Sequence, residues 1–236
     1  MGTRGCYGFR KNGVDKLTYN HFDSYPDCLG DTMAEFCQTT SITEMHEIFD
    51  KIILVDEHDI PTDTQIKECI EYFNENVSTG SPQDWYCLLR DAQGNPNVYK
   101  HGLKYMIDNN NFIKDSLFCE YAYIINLDEE CLEFWVGFQK EPDEYSRYGT
   151  EKEDGYYPCY LLREFDLSDI DKCTVREIVW EMNSAVDALY NDEPEQEEEE
   201  RDVTVDDFDD IADAIKRCIT SGTLENGIEW RLEFDM

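Results

Sequence analysis

The stretch CEYAYIINL-DEE-CLEFWVGFQ (residues 119–139) limits the possible folds more than any other part of the chain. Its two arms are rich in aromatic and β-branched residues, which suit a pleated surface, and three acidic residues between them mark a short turn. Tyr121, Tyr123 and Ile125 alternate with Ala122, Ile124 and Asn126, so one face is apolar and the other only partly polar. A hairpin this apolar is not stable alone and needs more sheet beside it and cover above it. The centre of the fold is therefore a sheet.

Elements on either side fit that plan. Residues 5–10 and 14–22 flank Asn12-Gly13, a strong tight-turn signal between two strands. Residues 29–37 read as a short helix. Ser41-Ile-Thr-Glu44 and Thr62-Asp-Thr-Gln65 are capping boxes, each followed by apolar residues at helical spacing: Met45, Phe49 and Ile52 after the first, Ile66, Cys69 and Phe73 after the second. Ser81-Pro82 predicts the start of a third helix that ends at residues 93–97. Residues 140–157 read as a polar surface loop, 159–167 as a strand and 174–190 as an amphipathic helix carrying Val175, Ile178, Val179, Met182 and Val186. The predicted fold is α+β, a largely antiparallel sheet with helices packed on one face, forming one main domain over residues 1–190.

Composition shifts after that point. NDEPEQEEEERD (191–202) holds eight acidic residues and one arginine. Like charge without apolar residues cannot offset its ordering entropy, so 191–203 reads as a flexible acidic linker or loop. Residues 204–236 then predict a helix with a glycine stop and a strand that returns to the core.

Charge narrows the function. With 54 Asp+Glu against 20 Lys+Arg the net charge is −34, a surface that repels phosphate backbones and anionic membranes. Direct nucleic-acid and membrane binding are therefore not expected. Basic protein surfaces are the natural partners, and Asp192, Glu193, Glu197, Glu198, Glu199 and Glu200 form the densest candidate partner-binding run. Solubility alone, or adaptation to salt, would give the same composition. None of the ten cysteines forms a Cys-x-x-Cys pair or a zinc-finger pattern, no apolar leader or membrane span is present, and the thiols read as reduced, placing the protein in the cytoplasm. Gly2, Gly5, Gly8 and Gly13 do not make a phosphate loop, and no cofactor is expected.

Two groups of residues carry candidate chemistry. In YNHFDSYP (19–26), His21, Asp23 and Tyr25 are alternate residues that would project to one side of an extended segment. With Arg4 as an anion donor and Cys6 as a nucleophile they make a candidate catalytic set. Against this, aspartate ahead of Ser-Tyr-Pro also caps a turn, and Tyr and Pro pack. The second group is VDEHDIPTD (55–63), where Asp56, His58 and Asp59 are metal-ligand types. It lacks the order of a calcium loop and equally reads as a solvated helix-to-helix connection.

Met1-Gly2-Thr3-Arg4, followed after a hairpin by Tyr19, Phe22, Asp23, Ser24, Tyr25, Pro26 and Gly30, resembles an uncharacterised family of small proteins met in phages, prophages, bacteria and fungi. Its members begin Met-Gly-Thr-Arg and carry Tyr-x-x-(Trp/Phe)-Asp-(Gly/Ser)-Tyr-Pro. Residues 121–128 are also similar to that family's central Tyr-x-Tyr-x-Ile-x-Leu-Asp segment. The resemblance covers about 30 N-terminal residues and the hairpin. It implies a shared fold and a mobile-element origin, with the host cytoplasm as location, and no reaction; Ser24 stands where glycine is frequent in the family.

The leading expectation is a non-catalytic acidic interaction protein of phage or prophage type that binds a basic protein surface. An anti-defence inhibitor working by nucleic-acid-like charge mimicry is its specific form. A hydrolase-like enzyme built on Arg4, Cys6, His21, Asp23 and Tyr25, and a virion or assembly component, are the alternatives.

Overall fold

The computed structural model describes residues 2–191; Met1 and residues 192–236 lie outside the described part. The acidic linker, its run of partner-binding candidates from Asp192 to Glu200, and the expected terminal helix and strand all fall in that outside part.

Strands β1 (Gly5–Lys11) and β2 (Val14–Asn20) pair antiparallel, from Gly5 opposite Asn20 to Lys11 opposite Val14. Asn12 and Gly13 between them have φ of 53° and 72°, the doubly positive geometry that keeps a two-residue turn in step with strand twist. The Asp128 carboxylate accepts the N–H groups of Asn12 and Gly13 at 2.6 and 2.8 Å, which ties this tip to the central hairpin. Those backbone donors hold the Asp128 carboxyl below its usual range.

The central hairpin is β5 (Tyr121–Asn126) and β6 (Cys131–Val136), in register from Tyr121 opposite Val136 to Asn126 opposite Cys131. β7 (Tyr160–Asp166) extends it antiparallel, and β1 joins β5 in parallel, so the five strands run β2-β1-β5-β6-β7. One pairing of four is parallel. The α+β reading, with a mostly antiparallel sheet, holds.

Alternation sorts the side chains. Tyr7, Phe9, Tyr123, Ile125, Leu132, Phe134 and Val136 share the main core with Met33 and Phe36 of α1 (Asp31–Thr39), Met45, Ile48 and Phe49 of α2 (Ile42–Lys51), and Ile178 and Met182 of α6 (Val175–Asn191). The opposite face buries Cys6, Leu17, Ala122, Ile124 and Trp135 in a smaller core, covered by Ile113, Cys119, Cys159 and Tyr148. Helices thus pack on one face, and irregular chain roofs the other. Residues 140–157 were expected to be a surface loop; Tyr145 is fully in solvent there, but Arg147 and Tyr148 reach back onto the sheet.

Both capping boxes form. Ser41 and Glu44 exchange side-chain and backbone bonds at the start of α2, and Thr62 and Gln65 do so at α3 (Asp63–Cys69). The expected third helix does not start at Ser81-Pro82. The Asp84 carboxylate instead accepts from the Ser78 and Thr79 hydroxyls and from the Tyr86 N–H, so it caps the four-residue α4 (Trp85–Leu88). A tight turn at Arg90–Ala92 and α5 (Asn97–Lys100) follow. A second small sheet was not expected: β3 (Ile53–Val55) pairs in parallel with β4 (Tyr105–Ile107). Residues 55–63 therefore lead from a strand into α3 rather than from helix to helix. No helix among the described residues is long and apolar enough to cross a membrane.

Candidate functional site

The YNHFDSYP stretch is a corner held by its own small polar residues. Asn20 Nδ2 donates to the Phe22 carbonyl at 2.5 Å and to Ser24 Oγ at 2.8 Å. Ser24 N–H bonds the Thr3 carbonyl, Leu29 N–H bonds the Asp23 carbonyl, and the Tyr123 hydroxyl donates to the Ser24 carbonyl at 3.0 Å. Asp23 sits at φ 55°, a conformation aspartate tolerates better than most residues. Ser24 is fully buried against Gly5, where an added Cβ would overlap the Tyr121 carbonyl oxygen and crowd the serine. A small residue at position 24 is a packing requirement.

That corner separates the five proposed catalytic residues. Cys6 points to the smaller core, has no exposed surface, and lies 3.7 Å from Cys119 Sγ. The Cys119 contact and burial push its thiol well above the ordinary range, so no thiolate is available. Tyr25 is exposed and lines a hollow with Arg4, Phe118 and Glu120. Asp23, also exposed, borders a different hollow with Phe22, Cys28, Thr32 and Arg90. Arg4 shares the hollow of Tyr25 and also lines a third feature, which His21 adjoins through Tyr19.

This feature is a cavity of about 340 Å³ at the open end of β1 and β2. Tyr7 and Tyr19 come from the two strands, Tyr86 and Gln93 from the α4 segment, and Tyr99 from α5. Ile107, Asn109 and Phe112 supply the side that follows β4, while Arg4, Glu57 and Phe118 complete the wall. The Tyr19 backbone N–H donates to Asn109 Oδ1 at 3.0 Å, which ties the strand to the post-β4 segment, and the Tyr19 ring meets Phe112 edge-on at 5.0 Å. Tyr19 Oη lies 2.9 Å from His21 Nδ1.

The electrostatics of the cavity run against those of the chain. Arg4 lies over the Phe118 ring at 5.3 Å, and Arg90 lies over Phe22 at 5.2 Å and Tyr86 at 5.7 Å. Arg90 also donates to Gln93 Oε1. Neither guanidinium has a carboxylate within ion-pair distance among the described residues, whereas Arg10, Lys11, Lys51, Lys104, Arg147 and Lys172 all do. Burial lowers the pKa of His21, and the Arg90 and Arg4 charges lower it further. Burial raises the Glu57 carboxyl and the Tyr19 hydroxyl, Arg4 partly opposing the latter. No Ser, Cys or Lys lines this cavity. Its arginine, amides, hydroxyls and carboxyl are groups able to hydrogen-bond a molecule held there.

Of the lining residues, sequence reasoning singled out Arg4 and Tyr19, and Glu57 only as a metal-ligand type, but not Tyr86, Gln93, Tyr99, Asn109 or Phe112. Their spacing carries no motif, because they come together only through the β3–β4 pair and the short helices. Asp56, His58 and Asp59 are not gathered: Asp56 Oδ1 accepts the His58 N–H at 2.9 Å and its carbonyl accepts the Asp59 N–H, an ordinary turn. Cys131, Glu133 and Glu164 do place ligand-type atoms together. Glu133 is already engaged there, by Asn126 Nδ2 at 2.6 Å, by Trp135 Nε1 at 2.9 Å and by Arg147.

The described residues define an α+β protein with a mostly antiparallel mixed sheet and an aromatic, arginine-bordered cavity at its end. No protein-family model matches the chain, and no curated protein or solved structure matches it significantly.

Proposed function

We propose that this chain is a non-catalytic acidic interaction protein of phage or prophage type, acting in the host cytoplasm on a basic, nucleic-acid-binding protein surface. One observation carries the reading. Acidity is not confined to the linker, because residues 1–191 hold 37 acidic against 16 basic residues, and only six basic side chains form ion pairs among the described residues. Most carboxylates on the folded body are left to act outward. Such an array competes with a phosphate backbone for the same Lys/Arg groove. The burial of Cys6 and the dispersal of Asp23 and Tyr25 favour binding over catalysis.

The test is charge screening and competition. Full-length protein is immobilised and offered basic nucleic-acid-binding proteins at about 50 mM and about 500 mM salt, conditions either side of the ~10 Å screening length at 0.1 M. Capture should fall steeply with salt, and duplex DNA should displace the captured protein. Capture that ignores salt, or that DNA cannot displace, overturns the reading.

A further inference from the structure

We propose that the cavity lined by Arg4, Tyr19 and Tyr86 is a binding site for a nucleoside 5′-monophosphate, a planar base carrying a compact dianion. The inference is independent of the acidic surface and of any protein partner.

Three observations lead to it. The first is charge. Arg4, which lines the cavity, and Arg90, which packs on Tyr86 and bonds Gln93 of its wall, are two of the four described arginines that have no carboxylate within ion-pair distance. Arg4 lies over Phe118, and Arg90 over Phe22 and Tyr86, contacts that hold each guanidinium by its face. Arg90 is further held by Gln93, a residue that also lines the cavity. The Arg4 guanidinium in the wall, with the Arg90 charge behind Tyr86 and Gln93, suits an anion such as a phosphate, which accepts the paired N–H donors of an arginine. Long-range repulsion from the acidic body does not prevent this, because screening removes it beyond about 10 Å at 0.1 M salt.

The second is the wall. Tyr7, Tyr19, Tyr86, Tyr99, Phe112 and Phe118 give six rings around one cavity, and base-on-ring stacking is the sequence-tolerant way to hold a planar heterocycle. Gln93, Asn109 and Glu57 stand among them as groups able to meet the hydrogen-bonding edge of a base or the ribose hydroxyls. Burial raises the pKa of the Glu57 carboxyl.

The third is size. About 340 Å³ lies at the small end of the roughly 300–1,000 Å³ range of ligand pockets. That volume suits a ligand of about mononucleotide size.

The experiment is calorimetric titration of the full chain with AMP, GMP, UMP and CMP, with adenosine and inorganic phosphate as separate arms. At least one monophosphate should bind with a Kd below about 100 μM, roughly tenfold or more tighter than adenosine and than phosphate, since a charge-assisted contact commonly supplies a factor of that order. Arg4→Gln should remove the advantage of the monophosphate over the nucleoside, and Arg90→Gln should reduce it. Thermal melting without ligand establishes that each variant is folded, and Tyr19→Phe provides a milder change that should weaken binding severalfold. Lack of binding by every monophosphate up to about 1 mM overturns the proposal. So do affinities of which none, for any monophosphate, exceeds that for adenosine, or an advantage that survives both arginine changes in folded protein.

Discussion

The guanidinium of Arg147 forms a two-armed ion pair with the carboxylate of Glu133, a residue 1% exposed on β6, from a loop fourteen residues downstream. Asn126 and Trp135 complete the acceptor capacity of Glu133, and Arg147 stacks over Trp135 at 4.6 Å and Tyr148 at 4.9 Å. Tyr148 donates to Asp15 on β2 at 3.1 Å. One arginine thus fastens an irregular loop over the helix-free face of the sheet.

Removing that arginine leaves a buried carboxylate without its counter-charge. Arg147→Ala should destabilise the protein by about 3 kcal/mol, the lower end for a broken buried pair because Asn126 and Trp135 still donate to Glu133. Adding Glu133→Gln to Arg147→Ala should recover part of the loss. Urea unfolding of the three proteins checks both statements.

At the N-terminal corner the tight approach of Gly5 to Ser24 and to the Tyr121 carbonyl makes side-chain size decisive. Gly5→Ala should cost about 1–3 kcal/mol as an overpacked position. Ser24→Gly keeps the space and loses the bond from Asn20, so its cost should be near 1 kcal/mol. Thermal melts of both variants give the order; an alanine at position 5 as stable as the parent would contradict the packing described.

His21 provides a pH test. Burial and the Arg90 and Arg4 charges lower its pKa in the folded state, so the unfolded chain takes up a proton that the folded chain resists. Stability contributed at this site is present above the unfolded value of about 6.5 and falls as pH drops through it. An NMR titration should place the His21 midpoint below 6.5, and His21→Gln should flatten the pH dependence of unfolding in that window. A midpoint at or above 6.5 would show that the cavity mouth is not electropositive.

Thiol reactivity should divide the described cysteines sharply. Cys28 and Cys173 are exposed, while Cys6, Cys37, Cys69, Cys87, Cys119, Cys131 and Cys159 are buried. Burial pushes the Cys69 and Cys131 thiols up to about 12. Burial and three nearby aspartates, Asp23, Asp27 and Asp31, raise Cys28. Alkylation at about pH 7.5, roughly one unit below the ordinary thiol value of ~8.5, should therefore label Cys173 first, Cys28 more slowly and the buried set only on unfolding. Peptide mass spectrometry resolves the order. Early labelling of Cys6 would restore it as a nucleophile candidate.

Features written in consecutive residues were legible before the structure. The Asn12-Gly13 turn, the two capping boxes and the central hairpin each depend on a few neighbours, whose backbone preferences and side-chain bonds act within one or two turns of chain. The third helix was misplaced because Ser81-Pro82 is a sound local start signal, but Asp84 collects Ser78, Thr79 and Tyr86 and becomes the stronger cap. β3 and β4, three residues each, are too short to show a period. In the candidate catalytic set, alternation along an extended segment was the whole argument. The positive φ of Asp23 breaks that alternation, and strand pleating sends Cys6 to the opposite core.

By itself, then, the amino-acid sequence determined the α+β class, the pleated centre and the acidity, because hydrophobic period and charge count are sums over local choices. Tertiary structure alone decided which face each candidate residue occupies, that Arg147 reaches Glu133, and that Arg4, Tyr19, Glu57, Tyr86, Gln93, Tyr99 and Asn109 enclose one cavity. Those residues are brought together by the pairing of β3 with β4 and by the parallel joining of β1 to β5. Such long-range pairings depend on the burial of whole faces, which no short window of sequence contains.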